Sequence, residues 1–360
     1  MGWSLKIARI AGINVYVHVT FLIIVAWFTY QYYFAHGQKA EAAAYGAVYI
    51  LSVFGVVVLH EFGHAMAARM YGVRTRDITL YLIGGVARLE RMPEDPRQEF
   101  VVAVAGPAVN VVLAALCLLF MFKLPGLAEK MTFEAIGQNY LEDMFAVNVV
   151  LVLFNMIPAF PMDGGRVLRA LLAMTMDYVK ATQIAAGLGQ FIAFGLGFLG
   201  LMGGNPLLLF VALFVWIAAG QESQTTGLRY ALAGVPVVRA MIRQFHSLRP
   251  DQTLAEAADE ILAGFQQDFP VVENGKVVGV LMGRDVFEGM RKSGENVPVS
   301  EAMCGDFVVA DPYEMLESAY RRLQESPCRS MPVVHRGRLV GLLTPENISE
   351  YLMLREAVGR

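Results

Sequence analysis

The chain has 360 residues, 56% of them hydrophobic and only 17% charged, with a mean hydropathy of +0.48. Ordinary soluble domains carry about 25% charged residues, so this balance points to a multispanning membrane protein. A net charge of −3 and a pI near 6.1 give no support to nucleic-acid binding, and the three cysteines, Cys117, Cys304 and Cys328, lack the paired spacing of a disulfide framework or a thiolate zinc site.

The first apolar run, Ile10–Ala35, is long enough to cross a bilayer and shows no small-residue cleavage site, so it reads as a transmembrane helix rather than a removed signal peptide. A second charge-free run, Ala42–Leu59, leads directly into His60-Glu61-Phe62-Gly63-His64. Ionisable groups at membrane depth are costly and usually serve a function. On a helix His60 and His64 stand one turn apart on the same face, the spacing that holds a zinc ion, with Glu61 beside them to handle a water proton. Catalytic zinc takes three protein ligands and keeps one position open, so a third ligand must come from elsewhere.

Beyond the motif, residues 78–89 are apolar and rich in strand formers around Gly84-Gly85, which predicts a hairpin beside the site able to hold an extended substrate by strand addition. Phe100–Phe122 is a third span and Met144–Met162 a fourth. The run Ala181–Gln221, broken by Gly203-Gly204-Asn205-Pro206, makes two more. Asp163 lies at the end of the fourth span, at the depth of the histidine pair, where Pro158 and Pro161 deny regular helix and free backbone groups to line a polar cavity. That depth favours Asp163 as the third ligand, with His18 in the first span as the alternative. Arg74, Arg76, Arg88, Arg91 and Arg97, with Arg166, Arg169 and Lys180, concentrate basic charge on one side, which places both termini and the histidine motif at the cytoplasmic face of a cell membrane.

After Glu222 the composition turns soluble and a repeat appears. Leu254, Pro270-Val271-Val272 and Gly279-Val280-Leu281 recur as Leu316, Pro332-Val333-Val334 and Gly341-Leu342-Leu343, each 62 residues on. Each unit reads helix, strand, turn, strand, helix, and Asn274-Gly275 is a hairpin signal.

The pairing of His60-Glu61-Phe62-Gly63-His64 with Asn155, Pro158, Pro161 and Asp163-Gly164 resembles the site-2 protease family of intramembrane zinc metalloproteases over roughly residues 1–222, and Gly106-Pro107-Ala108-Val109-Asn110 is similar to a family segment. The resemblance implies that His60, His64 and Asp163 bind one Zn2+, that Glu61 is the general base, and that Asn155 acts near the reacting carbonyl. It implies a membrane-anchored protein substrate embedded in membrane lipid. The 62-residue repeat resembles a tandem CBS domain over residues 245–360, joined by a linker at 223–244. In that family paired repeats hold adenine nucleotides (ATP, ADP or AMP), which here implies Asp285 and Thr344 as contacts. Each repeat keeps only one of the two residues expected there, Asp285 in Met282-Gly283-Arg284-Asp285 and Thr344 in Thr344-Pro345-Glu346-Asn347, so a docking module or a homodimer contact stands as the equal alternative. The fold class is thus a polytopic α-helical membrane domain of about six transmembrane helices, followed by a soluble α/β tandem CBS domain. A CBS-gated metal transporter or channel is the rival function, set against the protease by Glu61, a carboxylate that a transport site has little need of.

Overall fold

The computed structural model describes residues 3–82, 84–90, 92–93, 95–123, 132–133, 138–264 and 266–357. It divides into two compact units, Met1–Thr226 and Gly227–Arg360.

The first unit opens with strands rather than a helix. β1 (Ser4–Ile10) and β2 (Ile13–His18) pair antiparallel, and only at Val19 does α1 (Val19–Ala35) begin. The expected first span therefore starts nine residues late. Ile13 and Val15 are buried on one face of β2, and their β-branched side chains suit a pleated surface better than the crowded turn of a helix. α2 (Ala40–Met70) carries the histidine motif two-thirds of the way along, and the chain then returns as β3 (Thr75–Tyr81) and β4 (Gly84–Leu89). β3 pairs parallel with β2 and antiparallel with β4, giving one sheet in the order β1-β2-β3-β4 with β4 at an edge. The expected hairpin is present, now as half of a four-stranded sheet. Asp77, Ile78, Thr79 and Leu80 of β3 are all buried, and Ile78 packs with Ile13 against Ala65, Phe62 and Met66 of α2. That packing lays the sheet along the motif.

α3 (Pro96–Lys123) agrees with the expected third span. A small hairpin, β5 (Thr132–Phe133) with β6 (Gln138–Asn139), precedes α4 (Tyr140–Asn155). The fourth span was expected to continue to Met162, but α4 ends at Asn155. The prolines stop it: residues 156–162 form a turn closed by Ala159 N–H to Ile157 O at 2.7 Å and Met162 N–H to Ala159 O at 3.0 Å. α5 (Asp163–Ala173) starts at the aspartate itself, and a Cβ on Gly164 would lie 2.3 Å from Ile157 O, so only glycine lets α5 sit this close to its own turn. α6 (Tyr178–Met202) and α7 (Pro206–Leu232) follow, joined at Gly203-Gly204-Asn205 as expected, with α7 running on through Leu232. Among the described residues four helices, α2, α3, α6 and α7, are long and apolar enough to cross a membrane, and α1 is a shorter apolar helix. The expected six spans are thus four long helices and shorter pieces. Only 28% of the most apolar stretch of α2, α3 and α6 is buried, and Phe191, Phe194, Leu201 and Phe210 face outward. Surfaces this apolar belong in lipid.

The second unit confirms the duplication. α8 (Leu254–Ala263), β7 (Phe269–Glu273), β8 (Lys276–Leu281) and α9 (Gly283–Ser293) form one repeat; the short α10 (Val299–Ala302) follows. α11 (Leu316–Glu325), β9 (Met331–His335), β10 (Arg338–Leu343) and α12 (Pro345–Ala357) form the other. Asn274 and Gly275 both have positive φ, as their hairpin requires. Each repeat borrows a bridge: Ile242 pairs with Leu342, and Cys304 with Val280. One expectation is overturned here. Cys304 and Cys328 form a disulfide, with Cα atoms 6.2 Å apart. Their spacing of 24 residues carries no signal because the fold of the repeats, not local sequence, brings them together.

Candidate metal centre

α2 presents His60 and His64 on one face, and α5 delivers Asp163 to the same point. His60 Nε2 lies 3.2 Å and His64 Nε2 3.0 Å from Asp163 Oδ2, and the two Nε2 atoms are 3.1 Å apart. All three side chains are buried. The other ring nitrogens fix what these atoms can do. His64 Nδ1 is 2.7 Å from Val102 O, which can only accept, so Nδ1 carries the proton. For His60 the direction is set by a relay. Met144 O accepts from Asn148 Nδ2 at 2.8 Å, Asn148 Oδ1 accepts from Asn110 Nδ2 at 3.0 Å, and Asn110 Oδ1 therefore faces His60 Nδ1 at 2.5 Å as its acceptor. Both neutral imidazoles thus turn bare Nε2 lone pairs toward a carboxylate oxygen. Three lone pairs at this separation repel unless a cation sits among them.

The donor set fits zinc. A tetrahedral ion with ligand bonds of about 2.0 Å sets its ligand atoms about 3.3 Å apart, close to the separations here. Space is kept by α3: a Cβ on Gly106 would lie 2.2 Å from His64 Nε2 and 2.7 Å from His60 Nε2. Only a glycine leaves that flank open.

Glu61 faces a different neighbour. Its Oε2 accepts from the Ala87 N–H of edge strand β4 at 3.0 Å, so the carboxylate next in sequence to His60 is held by the sheet and not by the cluster. Arg166 approaches the other oxygen of Asp163 at 3.8 Å. Further along α5, Arg169 is buried and donates to Glu99 of α3 at 2.8 Å and to Glu222 of α7 at 2.5 Å, tying the helix that carries Asp163 to two membrane helices.

Of the residues singled out from sequence, His60, His64 and Asp163 come together and Glu61 adjoins them. His18 does not: it caps α1, with Nδ1 accepting from Thr20 N–H, and packs against Tyr81. Asn155 is the last residue of α4, half-buried, and among the described residues no hydrogen bond joins it to the cluster. The sequence marks Asn110 only as part of a family-like segment and gives Asn148 no role, although each is a buried amide in an apolar helix, which is itself a signal.

The profile of Peptidase family M50 matches residues 48–196, and that of the CBS domain matches 235–292 and 299–354. The chain is 32% identical over 281 residues to the zinc metalloprotease MJ0392 of Methanocaldococcus jannaschii, covering 78% of each. This chain belongs to peptidase family M50, the site-2 proteases. It is also 30% identical to the putative zinc metalloprotease Rip3 of Mycobacterium tuberculosis, over 97% of this chain and 93% of that one. A solved site-2 protease from Methanocaldococcus jannaschii aligns with 34% identity and a TM-score of 0.46, over 61% of this chain and 95% of that one. The two profile matches and the two metalloprotease relatives make the M50 chain an integral-membrane zinc metalloprotease with a CBS pair, and they favour the peptidase over the transporter or channel.

The CBS pair holds a cavity of about 620 Å3. Ile242, Gln266, Asp268, Arg284, Thr344 and Asn347 are among its lining residues, and Thr344 Oγ1 donates to Asn347 Oδ1 at 2.8 Å. Asp285, expected to share a cleft with Thr344, is not in this lining. Its carboxylate lies 3.4 Å from Arg284 Nε, and burial pushes its pKa up against the pull of that guanidinium.

Proposed function

We propose that this protease cuts a membrane-anchored protein within or near its transmembrane segment, with His60, His64 and Asp163 holding one zinc ion and Glu61 acting as general base. The observation that carries this reading is the convergence of two bare imidazole lone pairs and a carboxylate oxygen beside an unligated carboxylate. A zinc ion held by His60, His64 and Asp163 would supply Lewis acidity to a peptide carbonyl and an attacking water. Glu61 takes the proton from that water and delivers it to the departing amine, held in position by Ala87 N–H. A helical substrate hides its peptide bonds, so it must unwind to be cut. β4 is an edge strand next to Glu61, and an extended segment added along it would bring a peptide bond beside the carboxylate. Asn155, at the end of α4, is assigned to the carbonyl side of the substrate on the family motif alone.

The basic connections support a cell-membrane protein with both termini and the CBS pair in the cytoplasm. Adenine nucleotide is assigned to the Thr344 cavity, with Asn347 in place of the expected aspartate, and the pair also offers a homodimer contact. The test of the catalytic reading is comparative membrane proteomics of cells carrying the wild type or Glu61→Gln. A truncated membrane protein with a newly released cytoplasmic fragment should appear only with the wild type. Identical fragments in both would remove Glu61 from the reaction.

A further inference from the structure

The two repeats superimpose residue on residue in sequence, yet they treat their clefts differently. Ile242 and Gln266 both line the open cavity on the Thr344 side. The residues 62 positions later are Cys304 and Cys328. The bridges show that the equivalence is structural: Ile242 pairs with Leu342 of the second repeat as Cys304 pairs with Val280 of the first. Met282, Gly283 and Arg284 reach that same cavity but Asp285 does not; on the Asp285 side, where the open cleft has two separate wall residues, a covalent bond joins their equivalents. Two further contacts tie down the same segment. Arg284 Nη2 donates to Pro327 O at 3.3 Å, and Arg329 N–H reaches Met282 Sδ at 3.4 Å. Cys328 is fully buried, whereas Cys304 is half-exposed and open to attack.

Disulfides are rare in reducing compartments, and those that form there are mostly redox-sensing or catalytic. We propose that Cys304–Cys328 is a thiol-responsive bolt across the Asp285-side cleft, closing it when oxidised and opening it when reduced. A small thiol attacks the Cys304 sulfur, and a second thiol resolves the mixed disulfide. Two thiols lose two electrons and two protons to become a disulfide, and Cys304 and Cys328 gain them as two S–H groups. An acceptor for the new donors is in place, since Asp306 O lies 3.2 Å from Cys328 Sγ and 3.8 Å from Cys304 Sγ. With the bolt drawn, Asp285 gains a cleft like the one beside Thr344, for a ligand of the same class; only that last part rests on the nucleotide reading above.

The test uses the full chain in detergent, alkylated before and after dithiothreitol to count free thiols, with hydrogen exchange read by mass spectrometry. On reduction, amides at 282–288 and 304–309 should exchange at least ten-fold faster, while those at 342–350 stay unchanged. Cys304→Ser should show the fast pattern with no reductant. AMP measured by equilibrium dialysis should rise from one to two per chain. Unchanged exchange in a chain whose thiol count proves reduction overturns the bolt, as does a chain whose two thiols are already free under oxidising conditions. Faster exchange with no AMP bound in either state supports the bolt and overturns the nucleotide assignment.

Discussion

At the residue scale the site depends on side chains that never touch substrate. Asn110 sets the proton of His60, and Asn148 sets the orientation of Asn110. Partners of this kind typically change metal affinity by about 10–100-fold. Asn110→Leu should therefore lower zinc affinity by roughly that factor in competition with a chromophoric chelator, while Asn110→Asp, which keeps an acceptor, should recover most of it. Gly106→Ala should abolish zinc retention outright, because its methyl would occupy the space at His64 Nε2, whereas Gly187→Ala, which meets nothing within 4 Å, should leave zinc unchanged. The convergence of His60, His64 and Asp163 was legible in sequence because the one-turn spacing of His60 and His64 and the depth of Asp163 are local facts. Asn110, Asn148 and Gly106 were not, because their roles arise only when α3 packs between α2 and α4.

At the scale of elements, α5 is held by the buried Glu99–Arg169 pair, with the half-exposed Glu222 as a second partner of Arg169. Removing one member of a buried ion pair typically costs about 3–5 kcal/mol, since the remaining charge is stranded. Arg169→Met strands Glu99, which is wholly buried, so it should lower thermal stability and zinc retention together. The double variant Arg169→Met with Glu99→Gln should recover stability in a detergent melt. Strand β4 offers a second test. Ala87→Pro removes one N–H at a sheet edge, where proline is tolerated. A hydrogen bond to a charged group is worth about 1.5–3 kcal/mol, so cleavage should fall roughly ten-fold or more with zinc content unchanged. The hairpin was legible from its strand formers and glycines. The β1–β2 pair was not, because Ile10 to Phe21 carries no Asp, Glu, Lys or Arg, and its isolated Asn14 and His18 do not interrupt an apolar run that reads on into the helix that follows.

Over the whole molecule, a duplicated soluble part follows a membrane protease. The duplication was legible because the 62-residue period is kept without a gap. The disulfide was not, since it depends on the exchange of bridging segments between repeats. The side of the membrane rests on charge: single cysteines placed at Tyr71 or Arg74 should react with an impermeant thiol reagent only from the cytoplasmic side, and labelling of intact cells from outside would invert the orientation. The reading as a whole stands on His60, His64 and Asp163 as the zinc ligands and Glu61 as the base. The most direct measurement is metal content by elemental mass spectrometry on purified wild type, Asp163→Ala and Glu61→Gln, each paired with a cleavage assay. Close to one zinc per chain is expected in the wild type and in Glu61→Gln, which should be inactive, and most of it should be lost in Asp163→Ala. Full zinc in Asp163→Ala, or an active Glu61→Gln, would contradict it.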